Sequence, residues 1–114
     1  MKICVLGIWH LGNVTAACLS SYDHKVFALD YNKSLIKKLN DLRFPVSEPN
    51  LLKIATKSIR KGRLKYMDDP EHLPENLDYL WVTYDTPVNH NDKSDSDFVI
   101  SNIIKTLDKI NYYL

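Results

Sequence analysis

Two of the chain's three glycines, Gly7 and Gly12, bracket the segment Gly7-Ile8-Trp9-His10-Leu11-Gly12, directly after the apolar run KICVL at residues 2–6. A strand that runs into a glycine turn and then a helix can hold a phosphate. The first glycine allows the tight turn and the last lets helix and strand approach closely. The helix start then offers free N–H groups and a partial positive charge to a dinucleotide's diphosphate. A second apolar run, KVFALD, ends in Asp30, eighteen residues after Gly12. A carboxylate at about that distance is placed to accept hydrogen bonds from an adenosine ribose, and its charge would repel a 2′-phosphate. The expected ligand is therefore NAD rather than NADP. The middle glycine of the usual G-x-G-x-x-G pattern is absent, and Trp9 stands there. Its indole either occupies the diphosphate volume or turns outward. A tight strand–helix turn that holds no ligand is the alternative reading.

No other constellation carries comparable chemistry. Cys4 falls in an apolar strand and Cys18 in a helix, whereas a reactive thiolate needs exposure and a positive neighbourhood. Two cysteines in apolar stretches make no disulfide framework, and a reducing, cytoplasmic setting is expected. The sequons at Asn13 and Asn32 mean little in that setting. His10, His24, His72 and His90 lack metal-ligand spacing. The polar run NHNDKSDSD lacks the glycine and closing glutamate of a calcium loop, and is read as a loop with a helix cap at Asp95.

The elements that must position the turn follow from periodicity. Strands are expected at 2–6, 25–30, 63–67 and 79–84, the last aromatic and β-branched (YLWVTY). Helices are expected at 13–22, where small Ala16, Ala17 and Cys18 allow close approach to a sheet, and from Asn32 to Leu42, where Asn32 is the N-cap and Leu35, Ile36, Leu39 and Leu42 share a face. Further helices are expected at 50–61, with Leu52, Ala55 and Ile59 inward and Gly62 as its stop, and over the last segment, where Val99, Ile100, Ile103, Ile104, Leu107 and Ile110 line one side. The stretch FPVSEP is a loop, and DDPEHLPENL is a turn-rich connector with a single helical turn. Strands that alternate with helices imply an α/β fold: a Rossmann-like parallel sheet of order 3-2-1-4 with helices on both faces, in one domain spanning 1–114.

The chain resembles the UDP-glucose/GDP-mannose dehydrogenase family in its N-terminal NAD-binding domain. The resemblance rests on MKICVLGIWHLGNVTAACLS, on HKVFALD, on FPVSEPNL with the later KGRLKYMDD, and on DTPV with DSDFV, in order along essentially the whole chain. It implies an enzyme that oxidises the C6 hydroxyl of a nucleotide sugar to a carboxylate with two NAD. Carried over by position, Gly7, Ile8, Trp9, His10, Leu11 and Gly12 would face the diphosphate, Asp30 the ribose, and Thr86 the nicotinamide end. Leu35 stands where the family often has a basic residue, for which Lys33 is the substitute, and Asp85 replaces the glycine before Thr-Pro. The family's catalytic thiol, lysine and acid–base partners lie in later segments. The chain is therefore expected to be a truncated piece that binds cofactor and catalyses nothing alone, with the nucleotide sugar a partner of the complete enzyme. A non-catalytic nucleotide-binding or interaction module of the same ancestry is the alternative.

Length and composition agree with one globular domain: 114 residues, 45% hydrophobic, 25% charged, net charge +1. Lys53, Lys57, Arg60 and Lys61 make a basic helix face, read as solvated. Nine acids against Lys93 alone between Asp68 and Asp97 make the charge dipolar, so no nucleic-acid partner is expected. The opening apolar run is too short to span a bilayer, and no membrane partner is expected. Strand 79–84, if left at a sheet edge, invites pairing with another chain, hence a homo-oligomer through that edge.

Overall fold

Ile3, Cys4, Val5 and Leu6 are all buried, and an apolar run buried on both faces belongs inside a parallel sheet. In the computed structural model, which describes residues 1–84 and 96–111, this run is β1 (Lys2–Leu6). It is followed by α1 (Leu11–Ser21), β2 (Lys25–Leu29), α2 (Lys33–Asn40), α3 (Leu51–Arg60), β3 (Leu64–Met67), a 3₁₀ turn (Pro70–His72), β4 (Tyr79–Val82) and α4 (Ser96–Asn111). The four strands are parallel in the order β3-β2-β1-β4. The register sets Cys4 beside Phe27 and Leu80, and Leu6 beside Leu29 and Val82.

Strand side chains alternate between the faces, so the sheet has two cores. Ile3, Val5, Val26 and Ala28 pack with Ala16 and Ala17 of α1, Leu35, Ile36 and Leu39 of α2, and Leu51 and Ala55 of α3. Cys4, Leu6, Leu29 and Met67 form the other core with Leu73, joined by Leu80, Tyr84, Ile103 and Ile110. The parallel sheet, its order and its helices on both faces are as the sequence leads one to expect. Asn32 caps α2, its side chain accepting from the Leu35 N–H at 3.0 Å, and Gly62 ends α3 with φ of +73°.

Several expectations drawn from periodicity are corrected. Of the three small residues on α1, Ala16 and Ala17 face the sheet and Cys18 is exposed. Leu42 lies beyond the end of α2 with φ of +61° and is partly exposed. On α3 Ala55 and Ile59 face inward as expected, together with Leu51 and Ser58, while Leu52 is exposed. On α4 the apolar stripe is split: Ile100, Ile104 and Leu107 are exposed, whereas Asn102 and Thr106 are buried. The Thr106 hydroxyl is satisfied there by the Asn102 carbonyl and the Tyr31 hydroxyl, each at 2.8 Å. α1 starts at Leu11 rather than residue 13. The expected cap at Asp95, like Asp85, Thr86 and His90, lies outside the described residues. None of the described helices is long and apolar enough to cross a membrane.

Candidate dinucleotide cleft

The turn after β1 is held by contacts that require glycine. Gly7 has φ of +93°, a conformation costly for any residue with a Cβ. A Cβ on Gly12 would lie 1.8 Å from the Gly7 carbonyl oxygen and 2.7 Å from Thr83 Oγ1. Helix α1 therefore begins in direct contact with the end of β1. Thr83, at the end of β4, donates its hydroxyl to the Gly7 carbonyl at 2.7 Å and lies 3.2 Å from the Leu6 carbonyl. It buttresses the turn from behind. Among the described residues no side chain caps the N-terminus of α1, whose first-turn N–H groups a helix leaves unpaired.

Asp30 stands at the end of β2 and is 8% exposed. Its Oδ2 accepts from the Ile8 N–H at 2.9 Å and its Oδ1 from the Asn32 N–H at 2.9 Å. The carboxylate thus ties the glycine turn to the start of α2. Two ionised oxygens offer about four acceptor sites, so each keeps lone-pair capacity after one main-chain bond. Turn and acid meet in one cleft of about 360 Å³, lined by Gly7, Ile8, Trp9, Asp30, Asn32, Leu35, Tyr84 and Phe98. It lies at the carboxyl ends of β1, β2 and β4, where ligands bind in open parallel sheets.

The aromatic wall was not legible in the sequence. Tyr84 lies against the glycine turn, its ring 2.9 Å from where a Gly7 Cβ would stand. It meets Phe98 of α4 edge to face, centroids 5.8 Å apart. Burial, with a smaller contribution from the charge of Asp30, pushes the Tyr84 phenol well above its ordinary range. Among the described residues its buried hydroxyl lies near Asn102 without a hydrogen bond of proper geometry. Trp9 lines the cleft and is half-exposed.

The remaining expected site residues separate. His10 turns away, its Nε2 3.0 Å from Glu48 Oε1. With Leu11 it lines a neighbouring hollow that also contains Cys18 and Pro49. Lys33 does not line the cleft; its ammonium lies 3.7 Å from Asp68 Oδ2. Thr86 lies outside the described residues. Thr83, Tyr84 and Phe98 were missed because nothing local to them marks a site. Only the pairing of β4 beside β1, and of α4 across it, brings them there.

The residues present fit a dinucleotide. Gly7 and Gly12 leave main chain bare at a helix start, the first helical turn lacks a side-chain cap, and a buried carboxylate faces the same cleft.

The chain matches known proteins over the same region. It is 29% identical over 101 residues to GDP-mannose 6-dehydrogenase of Pseudomonas syringae pv. syringae, covering 89% of this chain and 23% of that protein. It is 26% identical over 98 residues to UDP-glucose 6-dehydrogenase TuaD of Bacillus subtilis, covering 86% and 21%. A solved GDP-mannose dehydrogenase of Pseudomonas aeruginosa superposes with a TM-score of 0.82 at 26% identity, covering 99% of this chain and 25% of that one. A UDP-D-ManNAc dehydrogenase of Pyrococcus horikoshii superposes with 0.83 at 26%, covering 96% and 26%. The chain spans about a quarter of the length of these relatives. The family model for the UDP-glucose/GDP-mannose dehydrogenase family, NAD binding domain, matches residues 1–113. By that match, and by the glycine turn and acid that share one cleft, the chain belongs to the UDP-glucose/GDP-mannose dehydrogenase family and corresponds to its NAD-binding domain.

Proposed function

We propose that the chain is the cofactor-binding part of a nucleotide-sugar 6-dehydrogenase. The complete enzyme would oxidise the C6 hydroxyl of a sugar such as that of UDP-glucose or GDP-mannose to the carboxylate. The observation that carries this reading is the cleft that joins the Gly7–Gly12 turn to Asp30. The NAD diphosphate would be held by main-chain N–H groups of the turn and the first residues of α1. Asp30, anchored by Ile8 and Asn32, would accept from the adenosine ribose hydroxyls. Thr86 would contribute near the nicotinamide, and His10, Leu11 and Trp9 would shape the turn around the diphosphate. Lys33 would act by its charge rather than by contact. When bound, NAD supplies the hydride acceptor; this chain's residues bind and orient it.

Neither cysteine supports a catalytic role. Cys4 is buried and its thiol is pushed up to about 12, and Cys18 lies on α1, away from the cleft. The chain alone would not turn over a nucleotide sugar. Neither thiol is paired, which supports a cytoplasmic setting.

Calorimetric titration of the chain with NAD and with NADP tests the reading. Saturable binding of NAD, at least about tenfold tighter than NADP, is expected from a carboxylate facing the ribose. Absence of saturable heat with NAD up to about 1 mM would overturn it. A second reading, a non-catalytic nucleotide-binding module, is favoured by Trp9 in the second-glycine position and by the Tyr84 ring packed on the turn. Binding of AMP without binding of NAD is its signature.

A further inference from the structure

The two halves of the glycine turn are held by different means. Main chain and core fix the first half. Gly7 donates its N–H to the Leu29 carbonyl at 2.9 Å and accepts from Thr83 Oγ1 at 2.7 Å, and buried Ile8 donates to Asp30 at 2.9 Å. The second half is Trp9-His10-Leu11, in which Trp9 and Leu11 are both half-exposed. Its polar side-chain contact is that of His10, whose Nε2 lies 3.0 Å from Glu48 Oε1. A carboxylate only accepts, so Nε2 carries a proton and donates. Nδ1 is buried and has no partner among the described residues. Within those residues Glu48 is therefore the polar hold on the ring.

Glu48 is itself anchored. Its carbonyl accepts from the Leu51 N–H at 3.1 Å, and Leu51 is buried in the core that also holds Ala16 and Ala17 of α1. Pro49 narrows the backbone freedom of Glu48 from the other side. The contact thus joins the turn to the start of α3, across the hollow lined by Val14, Leu51 and Ile54. His10 is also the N-cap of α1, and its carbonyl accepts from the Val14 N–H at 3.0 Å. Fixing this residue fixes the aim of the N–H groups of Leu11 and Gly12, which the helix leaves without an internal acceptor.

We propose that Glu48, acting through His10, is a positioning residue for the cofactor diphosphate: the hydrogen bond between them aims the second half of the turn and the first N–H groups of α1. The proposal rests on the NAD reading of the cleft. Both side chains are partly exposed, 34% for His10 and 44% for Glu48, and such a pair adds little to stability. Its effect is directional. A diphosphate takes several main-chain N–H groups at once, and donors that swing off line weaken together. The charge of Glu48 by itself repels a diphosphate, so only the bond it accepts from His10 can favour binding. Asp30 is held separately, by Ile8 and Asn32. An adenosine without phosphates should therefore not sense the pair.

Calorimetric titration of the chain with NAD tests this by comparing Glu48→Leu with Glu48→Gln. Both lack the charge, and only Gln keeps an acceptor for His10 Nε2. Glu48→Leu is expected to bind NAD at least about fivefold more weakly than Glu48→Gln. The two should bind adenosine alike, followed by chemical-shift titration, and unfold at the same urea midpoint. His10→Phe keeps a ring without the donor and is expected to lose at least about fivefold against the unaltered chain. In that background the Leu and Gln variants should bind NAD equally. Three results would each overturn the inference and leave the cofactor reading standing: equal NAD affinity in Glu48→Leu and Glu48→Gln, unaltered affinity in His10→Phe, or a parallel loss of adenosine binding. No NAD binding by the unaltered chain up to about 1 mM would overturn that reading and this inference with it. Should Glu48→Leu lose its fold, His10→Phe alone decides.

Discussion

Gly12 and Gly62 show how differently one residue type can act. Gly62 needs only its positive φ, and a Cβ there meets open space. Gly62→Ala is expected to cost about 1 kcal/mol. Gly12 is wedged against the Gly7 carbonyl and Thr83, and neither the strand end nor the helix start can retreat cheaply. Gly12→Ala is expected to cost at least about 2 kcal/mol and to weaken NAD binding as well. Urea unfolding of the two variants side by side checks the order, and equal midpoints would refute it. The cysteines make a second contrast. Cys18 is exposed, while Cys4 is buried with its thiol raised by desolvation to about 12. Iodoacetamide at mildly alkaline pH should modify Cys18 within the native chain and reach Cys4 only after unfolding, as read by mass spectrometry. Gly7, Gly12 and Asp30 were legible because each answers a local requirement of a strand end or helix start. The burial of Cys4 was legible from its strand. The exposure of Cys18 was not, because one step around α1 turns a small side chain from sheet to solvent.

At the scale of elements, α1 is fixed to the sheet by a polar contact as well as by alanines. Tyr66 of β3 donates its hydroxyl to Asn13 Oδ1 at 2.6 Å, with both residues buried. Tyr66→Phe would strand the Asn13 oxygen and is expected to cost about 1–3 kcal/mol. Adding Asn13→Leu should recover part of that loss, since a pair replaced by apolar groups leaves nothing unsatisfied. A double-mutant cycle by denaturant unfolding measures it, and strict additivity would exclude the coupling. This contact also explains why Asn13 is no surface sequon: its side chain is spent inside the fold. On α4, an apolar stripe read from spacing as one face is divided: Ile103 and Ile110 pack on the core, while Ile100, Ile104 and Leu107 are exposed. Helical periodicity says which residues share a side. It does not say how much of that side the sheet is wide enough to cover.

For the whole molecule, proton linkage sets the response to alkali. Burial raises Cys4 above its ordinary value near 9, and raises Tyr31, Tyr66 and Tyr84 above their ordinary value of 10. Above about pH 9 the unfolded chain releases these protons before the native one does. The native state then binds more protons, and stability falls as pH rises. Stability from these groups is complete below about pH 9 and is lost progressively toward and beyond pH 12, so urea midpoints should drop between about pH 8 and about pH 11. A flat profile would count against the burial of these phenols. The sequence alone determined the parallel sheet, its strand order, the glycine turn and the acid at its side. Each follows from apolar runs, chain direction and the handedness of crossovers, which act over a few residues or one connection. Only the tertiary structure decided that Thr83 braces the turn, that Tyr84 and Phe98 wall the cleft, and that Lys33 and His10 turn to other partners. Those outcomes depend on which residues far apart in the chain come within a few ångströms, which no local pattern encodes.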